Sequence, residues 1–414
     1  MDWTGTGNAR ILLASALIVA CVPLTAQADV VTEWNVIALN ATAIPPNSVL
    51  QSRTLAMVHA AIYDAARAID QKHPAYAIDL KASREASVDA AIAAAAHGVL
   101  IRLAPVQRPA LDDALNATLS KIAQGQGKTD GIDIGSQVAE KVIALRSDDG
   151  ADAKLAFAPK PGPGLYQLTP QSGPAILAQW GSVKPFVLRT MNGLEFKGPP
   201  AATSAAFARD FEEVRGIGAR NSATRTADQT AAAIFWVVQT AVPWHAAARA
   251  ASAAKGLSVS ENARLFALLA LATADSQIVA FQEKYTRPHW RPMTALRAAA
   301  DLGISGLKGD RTWEPLLVTP PHPEYPSAHA IFSGAAEVVL KTFFGSDTVE
   351  VSVTYPVPLG ITRTYKTFSE ITEEVDNARV WGGIHFRSAD RDGSEIGRKI
   401  GAQVMREFAK PAMN

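Results

Sequence analysis

The stretch PPHPEYPSAHAIFSG, from Pro320 to Gly334, has several prolines and a tyrosine, then Ser-Ala-His, and then small and apolar residues. Prolines interrupt regular structure and serine is a preferred first residue of a helix, so a helix is predicted to begin near Ser327. The first turn of a helix presents backbone N–H groups that have no partner inside the helix, and these favour an anion. The pattern therefore predicts an anion-binding helix start with His329 beside it.

Two further stretches beyond residue 280 supply cations and a second histidine. KYTRPHWRP carries Lys284 and, after six residues, Arg291 and Pro292, whereas ARVWGGIHFRSAD carries Arg379 and, after five residues, His385. Guanidinium groups suit tetrahedral oxyanions because they donate paired hydrogen bonds. Histidines can act as acid, base, nucleophile or metal ligand near neutral pH. Together the groups suit a phosphate-like oxyanion, with one histidine on its axis and the other opposite.

In this order and spacing, the motifs Lys-x6-Arg-Pro, Pro-Ser-Ala-His and Arg-x5-His resemble those of the superfamily of type-2 phosphatidic acid phosphatases and vanadium-dependent haloperoxidases. The resemblance covers roughly the last third of the chain. It implies an all-α protein of two helical bundles, built like the haloperoxidases. The active site would lie in the C-terminal bundle, near the helix that begins around Ser327.

The resemblance also implies a role for each motif residue. His385 would be the axial residue, which ligates vanadium as the metal-binding side chain or attacks the phosphorus of a phosphoester to form a phosphohistidine. His329 would be the acid–base group near the opposite apex. The groups that bind the oxygens of vanadate or phosphate would be Lys284, Arg291, Ser327, the backbone N–H of Ala328, and Arg379.

Departures from the family's pattern, together with the chain length, favour the haloperoxidase branch over a compact phosphatase. Ala328 stands where the family usually has glycine, and Ala389 stands where the phosphatases carry the aspartate that orients the last histidine. Asp390, one residue further on, or Asp275 could supply that carboxylate, and the sequence does not decide between them.

Four residues are candidates for a supporting role or for halide tuning: His322, Trp290, Gly383 and Asp390. Trp290 before Arg291 resembles the haloperoxidases, and His322 stands where some of them carry phenylalanine and others histidine. Gly383 either packs closely or lets the backbone approach the oxyanion. Arg379 and His385 do not share a face of an ideal helix, so a break between them is predicted.

The rest of the chain is predicted to be helical, because alanine is abundant and alternating strand patterns are scarce. Leu55, Val58 and Ile62 recur at helical spacing, and a capping box at Ser258 and Glu261 opens a long apolar helix that is expected to be buried. A Pro- and Gly-rich connection from 150 to 200 gives the predicted division: an N-terminal helical region over 29–200 and a C-terminal bundle carrying the oxyanion site over 201–414.

The first residues resemble a secretory signal. Arg10 precedes an apolar run, and a small-x-small pattern ends at Ala28, so Met1 to Ala28 is predicted to be a signal peptide of a periplasmic or secreted protein. Lipidation at Cys21 is the alternative and would give the only membrane attachment. The net charge of +1 gives no support for a nucleic-acid-binding protein. The sequence predicts no oligomeric state.

The expected function is that of an exported, vanadate-dependent haloperoxidase-like oxidoreductase. Its small-molecule substrates would be hydrogen peroxide and a halide, bromide or iodide, and phosphate would occupy the site when vanadate is absent. An acid phosphatase acting on a phosphoester through a phosphohistidine is one alternative. An inactive relative that only binds phosphate or vanadate is another, which Ala328 keeps open.

Overall fold

The computed structural model describes residues 28–43, 47–170, 173–238, 240–302, 307–355 and 360–408. These residues form thirteen α-helices, two short 3-10 turns and one β-hairpin. The predicted all-α class is therefore confirmed, with the hairpin as an addition. The predicted signal peptide lies outside the described residues except for Ala28, and Cys21 lies outside them as well.

The N-terminal part consists of helices joined by short connections. Asp29 begins the first helix, where its side chain accepts a hydrogen bond from the backbone N–H of Thr32 at 2.8 Å. The apolar positions Leu55, Val58 and Ile62 are buried, as their helical spacing predicts. The helices are α1 (Val30–Ala41), α2 (Ser48–Asp70), α3 (Val88–Leu103), α4 (Arg108–Ser120) and α5 (Gln126–Leu145).

The Pro- and Gly-rich connection contains, in its described part, a single 3-10 turn at Trp180–Ser182. After it, α6 (Ala205–Ile217) begins the C-terminal part. The following helices are α7 (Ala227–Val238), α8 (Ala241–Lys255), α9 (Val259–Thr286), α10 (Pro292–Leu302), α11 (Ala328–Phe344), α12 (Phe368–Trp381) and α13 (Arg387–Phe408). An antiparallel hairpin of β1 (Thr348–Tyr355) and β2 (Ile361–Thr367) precedes α12, with Val351 opposite Tyr365.

The long helix α9 is central to the fold and packs against both α2 and α11. The predicted capping box between Ser258 and Glu261 is present at its start. Among the described helices, α9 alone is long and apolar enough by composition to cross a bilayer. However, 94% of its apolar 18-residue segment is buried inside the protein. It is therefore a core helix, and its last turn carries Lys284.

Glycines let α11 and α13 pack with their backbones in close contact. A Cβ atom on Gly334 would lie 2.2 Å from the carbonyl oxygen of Ser394, and one on Gly397 would lie 2.2 Å from that of Ile331. At the start of α11, the backbone N–H of Ser327 donates to the carbonyl oxygen of Ala389 at 3.1 Å. The first turns of the two helices are therefore held side by side.

One continuous group of buried apolar side chains extends from α1 to α13 and includes residues on both sides of residue 200. A second, smaller group lies between α6, α10 and the end of α12, and contains Phe207, Trp290 and Phe386. The division of the chain at residue 200 stays a prediction.

Candidate oxyanion site

Lys284 fixes the loop that precedes α11. Its ammonium group is fully buried and donates to the carbonyl oxygens of Pro323 at 2.8 Å, Glu324 at 2.9 Å and Pro326 at 2.5 Å. Burial, and then the charge of Arg291, hold the pKa of Lys284 well below its usual value. Because its three donors are used on the loop, Lys284 contributes its charge to the site rather than a free N–H group.

Arg291 connects all three sequence motifs. Its Nε donates to the carbonyl oxygen of His322 at 2.9 Å, and its Nη1 donates to that of Ile384 at 2.7 Å. Nη1 also lies 3.1 Å from Nε2 of His385, and Nη2 lies 3.0 Å from Nδ1 of His322. Burial lowers the pKa of Arg291 to about 10, so the side chain remains a cation at neutral pH.

Ser327 is the residue before α11, as the sequence predicts, but its side chain does not cap the helix. Its hydroxyl is buried and makes no hydrogen bond of ordinary geometry among the described residues, but it lies close enough to the carboxylate of Asp390 to lower the pKa of that group. A serine at this position normally accepts a bond from the first turn, so here the first-turn N–H groups remain free for another ligand. Ala328 is the first helical residue. Alanine at this position keeps the backbone N–H that a glycine would offer, but it lacks the conformational freedom of glycine.

Arg379 lies in the last turn of α12. Its Nη1 donates to the carbonyl oxygen of Trp236 at 3.0 Å, whereas its buried Nε has no partner among the described residues. Burial lowers its pKa to about 10. The predicted break between Arg379 and His385 is present, because α12 ends at Trp381 and Gly383 has a φ of 74°. A Cβ atom on Gly383 would lie 2.3 Å from the carbonyl oxygen of Gly218, so the close approach at this glycine is to that backbone.

His385 is oriented by a carboxylate that the sequence analysis did not identify. Its Nδ1 lies 2.9 Å from Oε1 of Glu324, which also accepts the backbone N–H of Phe386 at 3.0 Å. The other oxygen of Glu324 lies 3.4 Å from Nδ1 of His289. Burial alone would raise the pKa of Glu324, but the hydrogen bonds from His289 and His385 outweigh it and hold the pKa below its usual value.

The two aspartates proposed for this contact have other surroundings, which corrects the expectation. Asp275 accepts the backbone N–H groups of residues 186–188 at 2.6 to 2.9 Å, so it fixes the connection to α9. The carboxylate of Asp390 is buried and makes no hydrogen bond of ordinary geometry among the described residues, although the hydroxyl of Ser327 lies close enough to lower its pKa. Burial, and then the charge of Asp376, raise the pKa of Asp390 well above its usual value.

The remaining predicted residues divide between the site and the core. Burial, and then the charge of Arg379, hold the pKa of His329 well below its usual value, so the ring is neutral at neutral pH. His322 contacts Arg291 and lies in the same cluster, and burial lowers its pKa too. Trp290 packs on Phe207 with ring centroids 6.1 Å apart, within the second apolar group.

The balance of buried charge in this cluster favours an anion. Lys284, Arg291 and Arg379 are at most 1% exposed, and two buried carboxylates, those of Glu324 and Asp390, act electrostatically on these three cations. Uncompensated buried cations are costly unless a counter-charge is present. The buried Nε of Arg379 is a donor without an acceptor among the described residues. The residues therefore fit a tetrahedral oxyanion such as vanadate or phosphate.

Comparisons with known proteins agree with the fold. Residues 264–413 match the family model of the VCPO second helical-bundle domain. The chain is 33% identical over 95 residues to the vanadium chloroperoxidase of Curvularia inaequalis, an alignment that covers 20% of this chain and only 15% of that protein.

Two solved bacterial structures share the fold over nearly the whole chain. The first bacterial vanadium-dependent iodoperoxidase superposes with a TM-score of 0.77 and 24% identity, over 91% of this chain and 95% of that one. The holo form of a bacterial vanadium-dependent chloroperoxidase gives a TM-score of 0.75 and 18% identity, over 94% and 100% of the two chains.

Proposed function

We propose that this chain, a member of the superfamily of vanadium-dependent haloperoxidases and type-2 phosphatidic acid phosphatases, is a vanadate-dependent haloperoxidase that oxidises bromide or iodide with hydrogen peroxide. The observation that carries the proposal is the buried cluster of Lys284, Arg291 and Arg379, in which Arg291 contacts the imidazole of His385. The matched relatives are haloperoxidases by name, which favours this activity over ester hydrolysis.

The chain's own residues would divide the work of holding the cofactor. Arg379 and the first-turn N–H groups of α11 have donors to spare for its oxygens. Lys284 and Arg291 would balance its charge, and Nε2 of His385 would ligate it. Bound vanadate supplies a Lewis acid that polarises peroxide without changing its own redox state.

His329 would be the group that moves the proton. It lies in the first turn of α11, two residues after Ser327, and burial, together with the charge of Arg379, lowers its pKa and keeps the ring neutral. A neutral imidazole can accept a proton from hydrogen peroxide and return it as the oxidised halide leaves. The surrounding positive charge also attracts the halide anion toward the site.

The vanadate dependence of two activities tests the proposal. The purified chain is assayed for bromide and iodide oxidation with and without orthovanadate, and for hydrolysis of p-nitrophenyl phosphate without it. Halide oxidation that requires orthovanadate is the expected result. Ester hydrolysis that vanadate inhibits, without halide oxidation, would favour the phosphatase, for which the unprotonated Nε2 of His385 is also suited. Binding of the anion without either reaction would leave an inactive relative.

Substitution of the axial residue gives a second test. His385→Ala should abolish halide oxidation, and His73→Ala, which removes an exposed histidine remote from the site, should not change it. Full activity in the His385 variant would end its assignment as the axial residue.

Export is part of the same proposal. Cleavage after Ala28 would leave Asp29 as the first residue, where its side chain still caps α1. N-terminal sequencing of the protein recovered from the periplasm or the medium should therefore begin at Asp29. A mature chain that begins at a lipid-modified Cys21 would instead establish membrane anchoring.

A further inference from the structure

Glu324 is a buried carboxylate in the loop that precedes α11. It is 1% exposed, lies three residues before Ser327, and belongs to the loop that Lys284 holds by its carbonyl oxygens. Its own backbone N–H donates to the carbonyl oxygen of His289 at 3.0 Å. Both the backbone and the side chain of Glu324 are therefore fixed, and its carboxylate is presented to His385 in one orientation.

The two contacts of the His385 ring determine which nitrogen carries the proton. A guanidinium group can only donate, so the 3.1 Å contact between Nη1 of Arg291 and Nε2 of His385 requires a lone pair on Nε2. In the neutral ring the proton is then on Nδ1, which donates to Oε1 of Glu324 at 2.9 Å. The lone pair of Nε2 is the one that faces the buried cations.

We propose that Glu324 is the positioning residue of this site and that it keeps His385 in the Nδ1-protonated form, with Nε2 as the ligand atom. His289 supports it from the second carboxylate oxygen, and the backbone N–H of Phe386 fixes the first. Carboxylates that hold a metal-ligating histidine in this way fix its ring and raise its basicity. The role rests on the proposed axial function of His385, but it can be tested without halide oxidation.

Two replacements of Glu324 separate the hydrogen bond from the charge. In Glu324→Gln the amide oxygen can still accept from both His385 and Phe386, so the tautomer should be retained. In Glu324→Met a side chain of similar length has no acceptor. The matched control is Asp64→Asn, since Asp64 is another buried carboxylate, which accepts three backbone N–H groups of residues 76–78 far from the site.

The test measures the tautomer by ¹⁵N NMR of histidine-labelled protein and the affinity for orthovanadate and orthophosphate by calorimetry, with His385→Ala to assign the signal. We expect an Nδ1-protonated His385 in the unsubstituted protein and in Glu324→Gln and Asp64→Asn. We expect its loss in Glu324→Met, with affinity for both anions reduced about 10- to 100-fold.

Several outcomes would overturn the proposal. An unsubstituted protein whose His385 carries its proton on Nε2 would do so even if no variant folded. Unchanged tautomer and affinity in Glu324→Met would do so as well, as would an equal loss of affinity in Asp64→Asn. Absence of halide oxidation, in contrast, would refute the proposed enzyme activity and leave these measurements interpretable.

Discussion

Arg379 is the cation whose removal should separate anion binding from folding. Among the described contacts its guanidinium makes one hydrogen bond, to the carbonyl oxygen of Trp236, and its Nε is free. Lys284 and Arg291, in contrast, each make several bonds to the backbone around the site. Arg379→Met should therefore fold, because the lost bond is partly offset by the removal of one of three buried like charges.

The expected loss of affinity follows from the donors that Arg379 has to spare. A hydrogen bond to a charged group contributes about 1.5–3 kcal/mol, so the loss of one bond to the oxyanion corresponds to roughly 10- to 150-fold weaker binding. Calorimetric titration of Arg379→Met with orthophosphate and orthovanadate measures this. The control is Arg297→Met, since Arg297 lies outside the site, where it donates to the backbone carbonyl oxygen of Trp313 at 2.9 Å and lies 3.8 Å from the carboxylate of Glu314. Unchanged affinity in Arg379→Met would show that the oxyanion does not contact this arginine.

Three further predictions concern stability. Burial alone would raise the pKa of Asp149, but the hydrogen bond from Arg53 and the charge of Arg146 outweigh it and lower the pKa below 3.8. The ionised carboxylate therefore stabilises the folded protein above that pH, and this contribution is lost as the pH falls through the lowered pKa. Asp149→Asn should lose about 3–5 kcal/mol in urea unfolding at pH 7, and a difference that does not shrink under acid conditions would contradict this. Asp275→Asn should cost about 1–3 kcal/mol in the same assay, because an amide cannot accept from all three N–H groups of residues 186–188; an unchanged midpoint would refute it. Orthophosphate at one hundred times its Kd should raise the free energy of unfolding by about 2.7 kcal/mol in calorimetry, and no shift in Tm would exclude binding to the folded state.

The elements with strong helical periodicity could be predicted from the sequence. The helical spacing of Leu55, Val58 and Ile62 corresponds to α2 (Ser48–Asp70), and the capping box at Ser258 begins α9 as expected. The hairpin was missed, although TVEVSVTY alternates with period two and every second residue from Val349 to Tyr355 is buried. That alternation was a readable strand signal, but it is short in a chain dominated by alanine-rich helices.

The sequence predicted which cations and histidines are candidates for the site, but not which contacts hold them in place. The motifs identify residue types at fixed spacing, and the prediction that a helix begins near Ser327 agrees with the start of α11. Motif spacing could not show that the ammonium group of Lys284 donates to the carbonyl oxygens of the loop, or that Glu324 of that loop contacts His385. Both contacts depend on how a proline-rich segment docks on α9 and α13, and such docking is set by tertiary packing rather than by local sequence.

The attachment of the 320–326 loop to Lys284 and Arg291 has a consequence for protein engineering. Grafting only Lys284, Arg291 and His385 onto an unrelated helical scaffold would transfer the functional side chains without the loop carbonyl oxygens that orient the two cations. A transplanted pocket would need this proline segment and its two anchoring cations to be moved as one rigid piece.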